Sequence, residues 1–255
     1  MKKYSDLYRE TRKALLPIDG PHQAGATARE LLQLASGKTA AELLADGEKY
    51  ADTSVSTALE TYVERMQKGE PLAYILGEWE FYGLKLFVTP DVLIPRDDTC
   101  ALTEIAIRQA LFLDQNPRIL DLCTGSGCIG IAIASRVKDA KVTLADLSRE
   151  ALAVAKKNVV LHHMTGRVSC VQADAMGEPP AFLGQFDMIV SNPPYIDAKD
   201  MEGLETSVKD FEPHMALYGG TDGLDFYRSI TEKYRRNLKP GGYLCYEFGY
   251  KSKRR

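Results

Sequence analysis

The sequence predicts an α/β fold in which a small N-terminal helical domain precedes a doubly wound parallel sheet. Residues 1–75 have helical periodicity and contain neither a glycine loop nor a β-type run. After Pro117, short apolar strands alternate with helices, and this alternation is typical of a parallel sheet with helices on both faces. We therefore expect a helical domain over residues 1–75, a hairpin and linker over 76–98, and a sheet domain over 99–255.

Amphipathic segments and capping sequences predict the helices of the first domain. Apolar residues recur with a period close to 3.6 residues near the N-terminus and again over residues 27–34 and 54–66. Thr27 and Thr39 each precede a glutamate by three residues, which is the spacing of a capping box. Both threonines are therefore predicted to begin helices.

Alternating apolar and polar residues mark the segment between the two domains. The alternation covers Trp79 to Val88 and is broken at Gly83. Such a pattern predicts a β-hairpin, which we expect to form the joint between the domains.

Short apolar runs at five places in the sheet domain are predicted to be strands. Continuous apolar runs are typical of strands that are buried on both faces. The predicted strands cover residues 118–122, 141–145, 168–172, 186–190 and 242–248, and the predicted helices cover 99–113, 129–137, 148–162 and 226–238. Because open α/β sheets bind ligands at the carboxyl ends of their strands, the loops after these strands form the candidate site.

A glycine-rich loop joins the first of these strands to its helix. The loop, which we call the glycine loop, reads Asp121-Leu-Cys-Thr-Gly-Ser-Gly127. Glycines at such a turn let the backbone approach a ligand closely. The loop is therefore predicted to bind a nucleotide cofactor, and a tight turn that binds nothing is the alternative.

Three acids accompany the glycine loop and bear on the choice of cofactor. Asp121 lies in the first strand, Asp146 ends the second, and Asp174 follows the third. Asp146 alone would fit NAD, and Asp146 and Asp174 could each be a strand-end cap. The complete order resembles that of class I S-adenosylmethionine-dependent methyltransferases, which implies S-adenosylmethionine as cofactor and S-adenosylhomocysteine as product. The candidate cofactor-binding residues are Asp121, Cys123, Thr124, Gly125, Ser126, Gly127, Asp146, Leu147, Asp174, Ala175, Met176 and Asn192.

The loop after the fourth predicted strand, here called the acceptor loop, reads Asn192-Pro193-Pro194-Tyr195. Proline has no N–H group and a fixed φ, so the prolines end the strand and stiffen the loop. The Asn192 side-chain oxygen and the Pro193 carbonyl can each accept one N–H from a planar acceptor group, on which Tyr195 is predicted to stack. We predict that Asn192, Pro193 and Tyr195 are catalytic and that all four residues bind the substrate.

Composition argues against several functions. The 32 Lys and Arg balance 35 Asp and Glu, and neither half of the chain is basic, so nucleic acid is not expected as the direct substrate. The five cysteines form no CxxC pair and the four histidines are scattered, so we expect no metal and no disulfide framework. The sequence shows no signal-peptide core and no apolar run of the ~20 residues that span a bilayer. We expect a cytoplasmic monomer without membrane contact.

The chain as a whole resembles the HemK-type protein-glutamine N5-methyltransferases that modify peptide chain release factors. The matching stretches are residues 71–77, 81–83, 93–96 with Thr99, 121–127, 192–195, 212–213 with 216–217, 219–224, and Glu247 with Gly249. The resemblance implies a Rossmann-like class I methyltransferase sheet. It also implies that the acceptor is the side-chain amide of the glutamine in a release factor's Gly-Gly-Gln motif, with the helical domain helping to dock the factor.

The chain departs from the family at four places. The first is Pro95-Arg-Asp-Asp-Thr-Cys100, where the family's usual sequence is Pro-Arg-Pro-Glu-Thr-Glu. Cys123 stands where many members carry the first glycine of the loop. This change should be tolerated if φ at Cys123 is negative, because positive φ is uncommon for residues other than glycine. Met176 takes the place of a bulky aromatic residue and is expected to pack on the adenine. Family members continue after the Glu247 strand with a helix and two more strands, so the resemblance predicts a sheet that is short at its C-terminal edge.

Three alternative functions fit some of these features. A methyltransferase that modifies a glutamine of a ribosomal protein would share every motif. A DNA adenine-N6 methyltransferase uses the same Asn-Pro-Pro-Tyr logic on a flipped base, although the charge balance argues against it. The third alternative is a truncated, non-catalytic binding protein that has lost the cofactor site.

Overall fold

The structure, a computed structural model, describes residues 1–113 and 115–249 and divides into two units, Met1–Gly77 and Glu78–Arg255. Residues 250–255, where the sequence predicts the end of a shortened sheet, lie outside the described residues. Each unit has a hydrophobic core of its own. Among the described residues, none of the helices has the combination of length and apolar composition that a membrane span requires.

The first unit is built from helices, as its periodicity predicts. They are α1 (Tyr4–Ser36), α2 (Ala40–Ala45), α3 (Thr53–Gln67) and α4 (Leu72–Leu76). α1 is interrupted at Gly20, whose φ of 70° and ψ of 176° are not helical, and Pro17 and Pro21 flank this kink. Leu15 and Leu31, on either side of the kink, are fully buried in the same core. The kink therefore lets both halves of α1 contribute to one core.

The two predicted capping boxes have different outcomes. At Thr39 the prediction is confirmed: its hydroxyl accepts the N–H of Glu42 at 3.3 Å, and the Glu42 carboxylate accepts the N–H of Thr39 at 2.8 Å. At Thr27 the prediction is wrong, because the residue lies buried inside α1 and its hydroxyl donates to the carbonyl of Gln23 at 3.4 Å. The chain before Thr27 is already helical, so the hydroxyl bonds to the preceding turn instead of starting a helix.

The second unit begins with the predicted hairpin, in which β1 (Glu78–Phe81) pairs antiparallel with β2 (Leu84–Phe87). Tyr82 and Gly83 form the turn, with φ values of 53° and 74°. A two-residue turn with both φ values positive matches the twist of the flanking strands. The hairpin and its break at Gly83 are therefore confirmed.

The other strands form one parallel sheet in the spatial order β5-β4-β3-β6-β7. They are β3 (Arg118–Leu122), β4 (Lys141–Asp146), β5 (Val168–Gln172), β6 (Phe186–Ser191) and β7 (Leu238–Tyr246). Every predicted strand is present, and β7 begins earlier than predicted and passes through Pro240. Proline is tolerated there because β7 lies at the edge of the described sheet.

The helices of the second unit are α5 (Thr99–Ala110), α6 (Cys128–Arg136), α7 (Arg149–Leu161), α8 (Ala198–Glu202), α9 (Thr206–Lys209) and α10 (Asp225–Lys233). From β3 the chain passes outward through β4 and β5, and then returns to the other side of β3 to form β6. The strand order thus reverses between β3 and β6, and ligands bind at such a point in open α/β sheets. The predicted α/β fold, with a parallel sheet and N-terminal helices, is confirmed.

Candidate active site

A cavity of about 480 Å³, the central cavity, is formed by residues that follow β3, β4, β5 and β6. The predicted site residues on its wall are Cys123, Thr124, Gly125, Ser126, Asp146, Leu147, Asp174, Ala175, Met176, Asn192 and Pro194. Asp121, Gly127, Pro193 and Tyr195 are not among the residues that line it. The structure therefore brings together most of the predicted residues, which come from four separate loops.

Gly125 leaves space beside the backbone of the glycine loop. Its φ is 54°, and a Cβ atom added there would meet no atom within 4 Å. Gly127 has a φ of 84°, but a Cβ there would lie 3.0 Å from the side chains of Ile131 and Leu144. Gly125 thus keeps the cavity wall open, whereas Gly127 allows the loop to pack closely against its own helix and β4.

Asp146 supports the glycine loop from the end of β4. Its Oδ2 accepts the N–H of Gly125 at 2.9 Å, and its Oδ1 accepts the N–H of Ser148 at 3.0 Å. Burial raises the pKa of the Asp146 carboxyl group, and these two N–H groups oppose that rise. Each carboxylate oxygen has a second lone pair, so Asp146 can hold the loop and still accept a hydroxyl from a ligand.

Asp121 lies behind the glycine loop and is fully buried. Its Oδ2 accepts the hydroxyl of Thr124 at 2.6 Å and the N–H of Gly130 at 2.9 Å. Its Oδ1 has no hydrogen-bond partner within the described part of the chain. Burial raises the pKa of Asp121 to about 7, although the Thr124 and Gly130 donors oppose the rise. In the structure, Asp121 therefore holds the loop from inside and does not form part of the cavity wall.

Cys123 has a φ of 61°, so the negative φ at which a cysteine should be tolerated there is not present. The glycine loop turns through the left-handed region at this position, where glycine meets no steric cost and a side chain costs about 1–2 kcal/mol. The cysteine side chain lines the central cavity, and burial raises the pKa of its thiol. Cys123 thus lies in the left-handed region, which glycine adopts more readily than other residues.

The loop after β5 is attached to α10 and the turn that follows it. The main-chain carbonyl of Asp174 accepts the Tyr234 hydroxyl at 2.8 Å, and the carbonyl of Ala175 accepts the Ser229 hydroxyl at 2.9 Å. The Asp174 side chain accepts the N–H of Met176 at 2.8 Å, and 39% of Met176 is exposed on the cavity wall. Met176 therefore presents an apolar surface beside an acid whose position is fixed.

The acceptor loop is fixed by side chains from distant parts of the chain. Asn192 Nδ2 donates to Thr99 Oγ1 at 3.2 Å, and both residues line the central cavity. The Tyr195 hydroxyl lies 3.4 Å from Glu247 Oε1. Burial, followed by the charge of Glu247, raises the pKa of the Tyr195 phenol to about 12. The ring of Tyr195 is thus tied to the end of β7, and Tyr195 is not among the residues that line the central cavity.

Two glycines bring a second segment against the acceptor loop. A Cβ at Gly219 would lie 2.6 Å from the carbonyl oxygen of Pro194, and a Cβ at Gly223 would overlap the carbonyl oxygen of Tyr195. The Gly219 N–H also donates to the carbonyl of Ile196 at 2.9 Å. We call residues 217–223 the glycine clamp, because their main chain packs directly on that of the acceptor loop.

Several residues near the site were not among the predicted site residues. Arg96 lines the central cavity and forms an ion pair with the buried Glu212, whose other oxygen accepts the N–H of Ile94 at 3.1 Å. Thr99 and Glu247 contact the acceptor loop, as described above. All of these except Ile94 are polar or charged, and all lie in stretches that resemble the family. That combination is the signal in the sequence by which they could have been found.

Comparisons with known proteins give the chain its family. The PrmC N-terminal domain family matches residues 6–77, and the Methyltransferase small domain family matches residues 104–208. A release factor glutamine methyltransferase from Geobacter sulfurreducens is 41% identical over 239 residues, which cover 93% of this chain and 81% of that protein. The chain belongs to the release factor glutamine methyltransferase family.

Other relatives of this name agree with the assignment. The protein from Clostridium acetobutylicum is 43% identical over 74% of this chain, and the protein from Koribacter versatilis is 38% identical over 82% of it. The matched regions span 66% and 70% of those relatives' own lengths. The HemK-type resemblance of the sequence is thereby confirmed.

The residues of the central cavity are compatible with either S-adenosylmethionine or NAD. Asp146 is compatible with the ribose of either cofactor, and family membership favours the methyl donor. The open backbone at Gly125, the acid at Asp146 and the apolar surface of Met176 offer contacts for an adenosine ligand. The described residues include no group of three or more His, Cys, Asp or Glu side chains that could hold a metal ion.

Proposed function

We propose that this chain transfers a methyl group from S-adenosylmethionine to the side-chain amide nitrogen (N5) of the glutamine in the Gly-Gly-Gln motif of peptide chain release factors. Family membership and the names of the relatives support the substrate. The observation that carries the chemistry is the position of Asn192, whose side chain lies on the wall of the central cavity with its Nδ2 already bonded to Thr99. Its Oδ1 is then available to accept an N–H of the glutamine amide.

The glycine loop and the loops after β4 and β5 are proposed to hold the cofactor. Asp146 would accept the ribose hydroxyls, and the main chain of Gly125 would lie against the cofactor. Met176 would pack on the adenine beside Asp174. Bound there, S-adenosylmethionine supplies an electrophilic methyl group and leaves as S-adenosylhomocysteine. Asp121 would act through the loop that it supports, since its side chain does not reach the cavity wall.

The acceptor loop is proposed to overcome the weak nucleophilicity of an amide nitrogen, whose lone pair is delocalised into the carbonyl. Asn192 Oδ1, on a residue that lines the central cavity, would accept one amide N–H and so aim the nitrogen at the methyl group. The Pro193 carbonyl is proposed as the second acceptor, although Pro193 is not among the lining residues. Positioning of this kind is worth at most about 7–11 kcal/mol. The nitrogen would form the new N–C bond as the bond between the methyl group and the donor sulfur breaks, and its surplus proton would pass to water. We assign Tyr195 to support the loop through Glu247, in place of the predicted stacking.

Peptide mass spectrometry tests the proposed function. The full-length chain is incubated with S-adenosylmethionine and a release factor, and the expected result is one added methyl group on the Gly-Gly-Gln glutamine. A release factor with that glutamine replaced by alanine is the matched control and should remain unmodified. Parallel reactions contain ribosomal proteins or DNA, because methylation of either one alone would favour the corresponding alternative function.

Calorimetry with S-adenosylmethionine completes this test. Binding of the cofactor is expected, and its absence would support a non-catalytic binding protein instead. We further propose that residues 1–75 help to dock the release factor and that the protein acts as a cytoplasmic monomer on protein and not on nucleic acid. Removal of this docking contribution would raise KM for the release factor without changing cofactor affinity.

A further inference from the structure

Asn158 is a fully buried polar residue on α7 to which the proposed chemistry gives no role. Its side-chain oxygen accepts the N–H of Phe87 at 2.7 Å. Its Nδ2 donates to the carbonyl of Phe87 at 3.0 Å and to the carbonyl of Ser126 at 2.9 Å. Because an N–H can only donate and a carbonyl can only accept, these three partners fix the orientation of the amide. The side chain therefore joins the end of β2 to the glycine loop.

The two segments that Asn158 joins both lead to the wall of the central cavity. Ser126 lines the cavity itself. Phe87 ends β2, and the chain that follows it reaches the cavity wall at Asp91 and continues along it at residues 92, 93, 95 and 96. Asn158 thus sets the position of the glycine loop relative to the segment that follows the hairpin.

The glycine loop is held from two sides. On the side of β4, the N–H of Thr124 donates to the carbonyl of Ala145 at 3.0 Å, and the N–H of Gly125 donates to Asp146 at 2.9 Å. On the side of α7, Asn158 binds the carbonyl of Ser126. Without Asn158, the contacts with β4 would still hold the loop at Thr124 and Gly125, whereas Ser126 would lose its bond to α7.

Loss of the amide would affect its two partners unequally. Phe87 is 39% exposed, so its main-chain groups can turn to water. Ser126 is 2% exposed, and a buried carbonyl without a donor is costly. The glycine loop would therefore have to shift to give the Ser126 carbonyl a new partner, while the hairpin could stay where it is.

We propose that Asn158 is a positioning residue that holds the glycine loop in the conformation that binds the cofactor. It acts through the main chain of Ser126 and uses the end of β2 as its second anchor. The inference rests on the proposed function, because it assigns the cofactor to the glycine loop. Asn158 reaches neither the acceptor loop nor the cavity wall by any contact given above, so its effect should fall on cofactor affinity and not on the transfer step.

Calorimetry and kinetics of two substitutions on α7 test this role. Asn158→Leu keeps a side chain of similar size but removes all three hydrogen bonds, so the Kd for S-adenosylmethionine should rise about 10- to 100-fold. At saturating cofactor, kcat and KM for the release factor should both stay within about threefold. Asn158→Ser is the milder variant if Asn158→Leu does not fold, and thermal unfolding verifies that each variant is folded at the assay temperature.

His162→Ala is the matched control. His162 lies at the end of the same helix, and its Nε2 bonds the carbonyl of Lys85 in the same strand β2 at 2.8 Å. This substitution weakens the attachment of the hairpin without touching Ser126, so the Kd for S-adenosylmethionine should stay within about twofold. An equal loss of affinity in His162→Ala, an unchanged Kd in the folded Asn158 variants, or a loss confined to kcat would overturn the inference.

A spectroscopic measurement tests the role of Asn158 even in a chain that does not bind the cofactor. In ¹⁵N-labelled protein without ligand, the N–H resonances of Gly125 and Gly127, on either side of Ser126, should shift in Asn158→Leu and in Asn158→Ser. They should stay in place in His162→Ala. Unchanged resonances in the Asn158 variants would overturn the positioning role, whereas shifted resonances in a chain that binds no S-adenosylmethionine would count against the proposed function alone.

Discussion

The glycine loop and the acceptor loop lie on the same cavity but are supported in opposite ways. The glycine loop is held by nearby parts of the chain: the contacts of Asp121 with Thr124 and Gly130 span 3 and 9 positions, and that of Asp146 with Gly125 spans 21. The contact between Asn192 and Thr99 spans 93 positions. The position of the glycine loop is therefore set by nearby segments of the chain, whereas the position of the acceptor loop depends on segments brought together by the whole fold.

Replacing Asn192 should give the largest difference between the loss of turnover and the loss of cofactor affinity. Asn192→Ala removes the proposed acceptor of the amide N–H, so turnover should fall by at least about 100-fold. Cofactor affinity should stay within about tenfold, or ~1.4 kcal/mol. Methylation assays and calorimetry measure the two quantities. An equal loss of both would show that Asn192 chiefly holds the cofactor, and the contrast between the loops would disappear.

A substitution in the glycine clamp should displace the acceptor loop without changing any residue of that loop. Gly219→Ala places a Cβ 2.6 Å from the Pro194 carbonyl oxygen, so the loop must move, and kcat should fall about 10- to 100-fold. Cofactor affinity should be unchanged within about threefold. Gly166→Ala is the control, because a Cβ there meets no atom within 4 Å. If the two variants have the same kcat, the clamp does not set the position of the acceptor.

The smallest effect is expected in the glycine loop, where a single residue carries the strain. At Cys123, whose φ is 61°, the glycine variant should be more stable than the alanine variant by about 1 kcal/mol. Thermal unfolding should show a Tm difference of about 2–4 °C. At a negative φ the order would be reversed, because alanine restricts the unfolded chain more than glycine does.

The contrast between local and long-range contacts also explains which features of the structure the sequence predicts. The strands, the hairpin at Gly83, the Thr39 cap and the glycine loop follow from patterns within a few residues, and the structure contains all of them. Thr27 was misjudged because a capping spacing does not reveal that the helix has already begun. The positive φ of Cys123 does not follow from the sequence, because residue type gives only a preference for φ and the surrounding turn overrides it.

The partners of the acceptor loop could not be derived from spacing. The contacts of Asn192 with Thr99, of Tyr195 with Glu247 and of Pro194 with Gly219 exist only in the folded chain. Their hydrogen bonds and close contacts join residues far apart in the chain, and no local periodicity records such a pairing. The family resemblance marked these stretches without giving the contacts.

The glycine clamp also has a consequence for protein engineering. The atoms nearest to a Cβ added at Gly219 or Gly223 are main-chain atoms of Pro194, Tyr195 and Asp197. The two glycines therefore constrain the path of the acceptor backbone directly. A library that searches for new acceptor groups should leave both glycines unchanged, because a side chain at either position would displace that backbone.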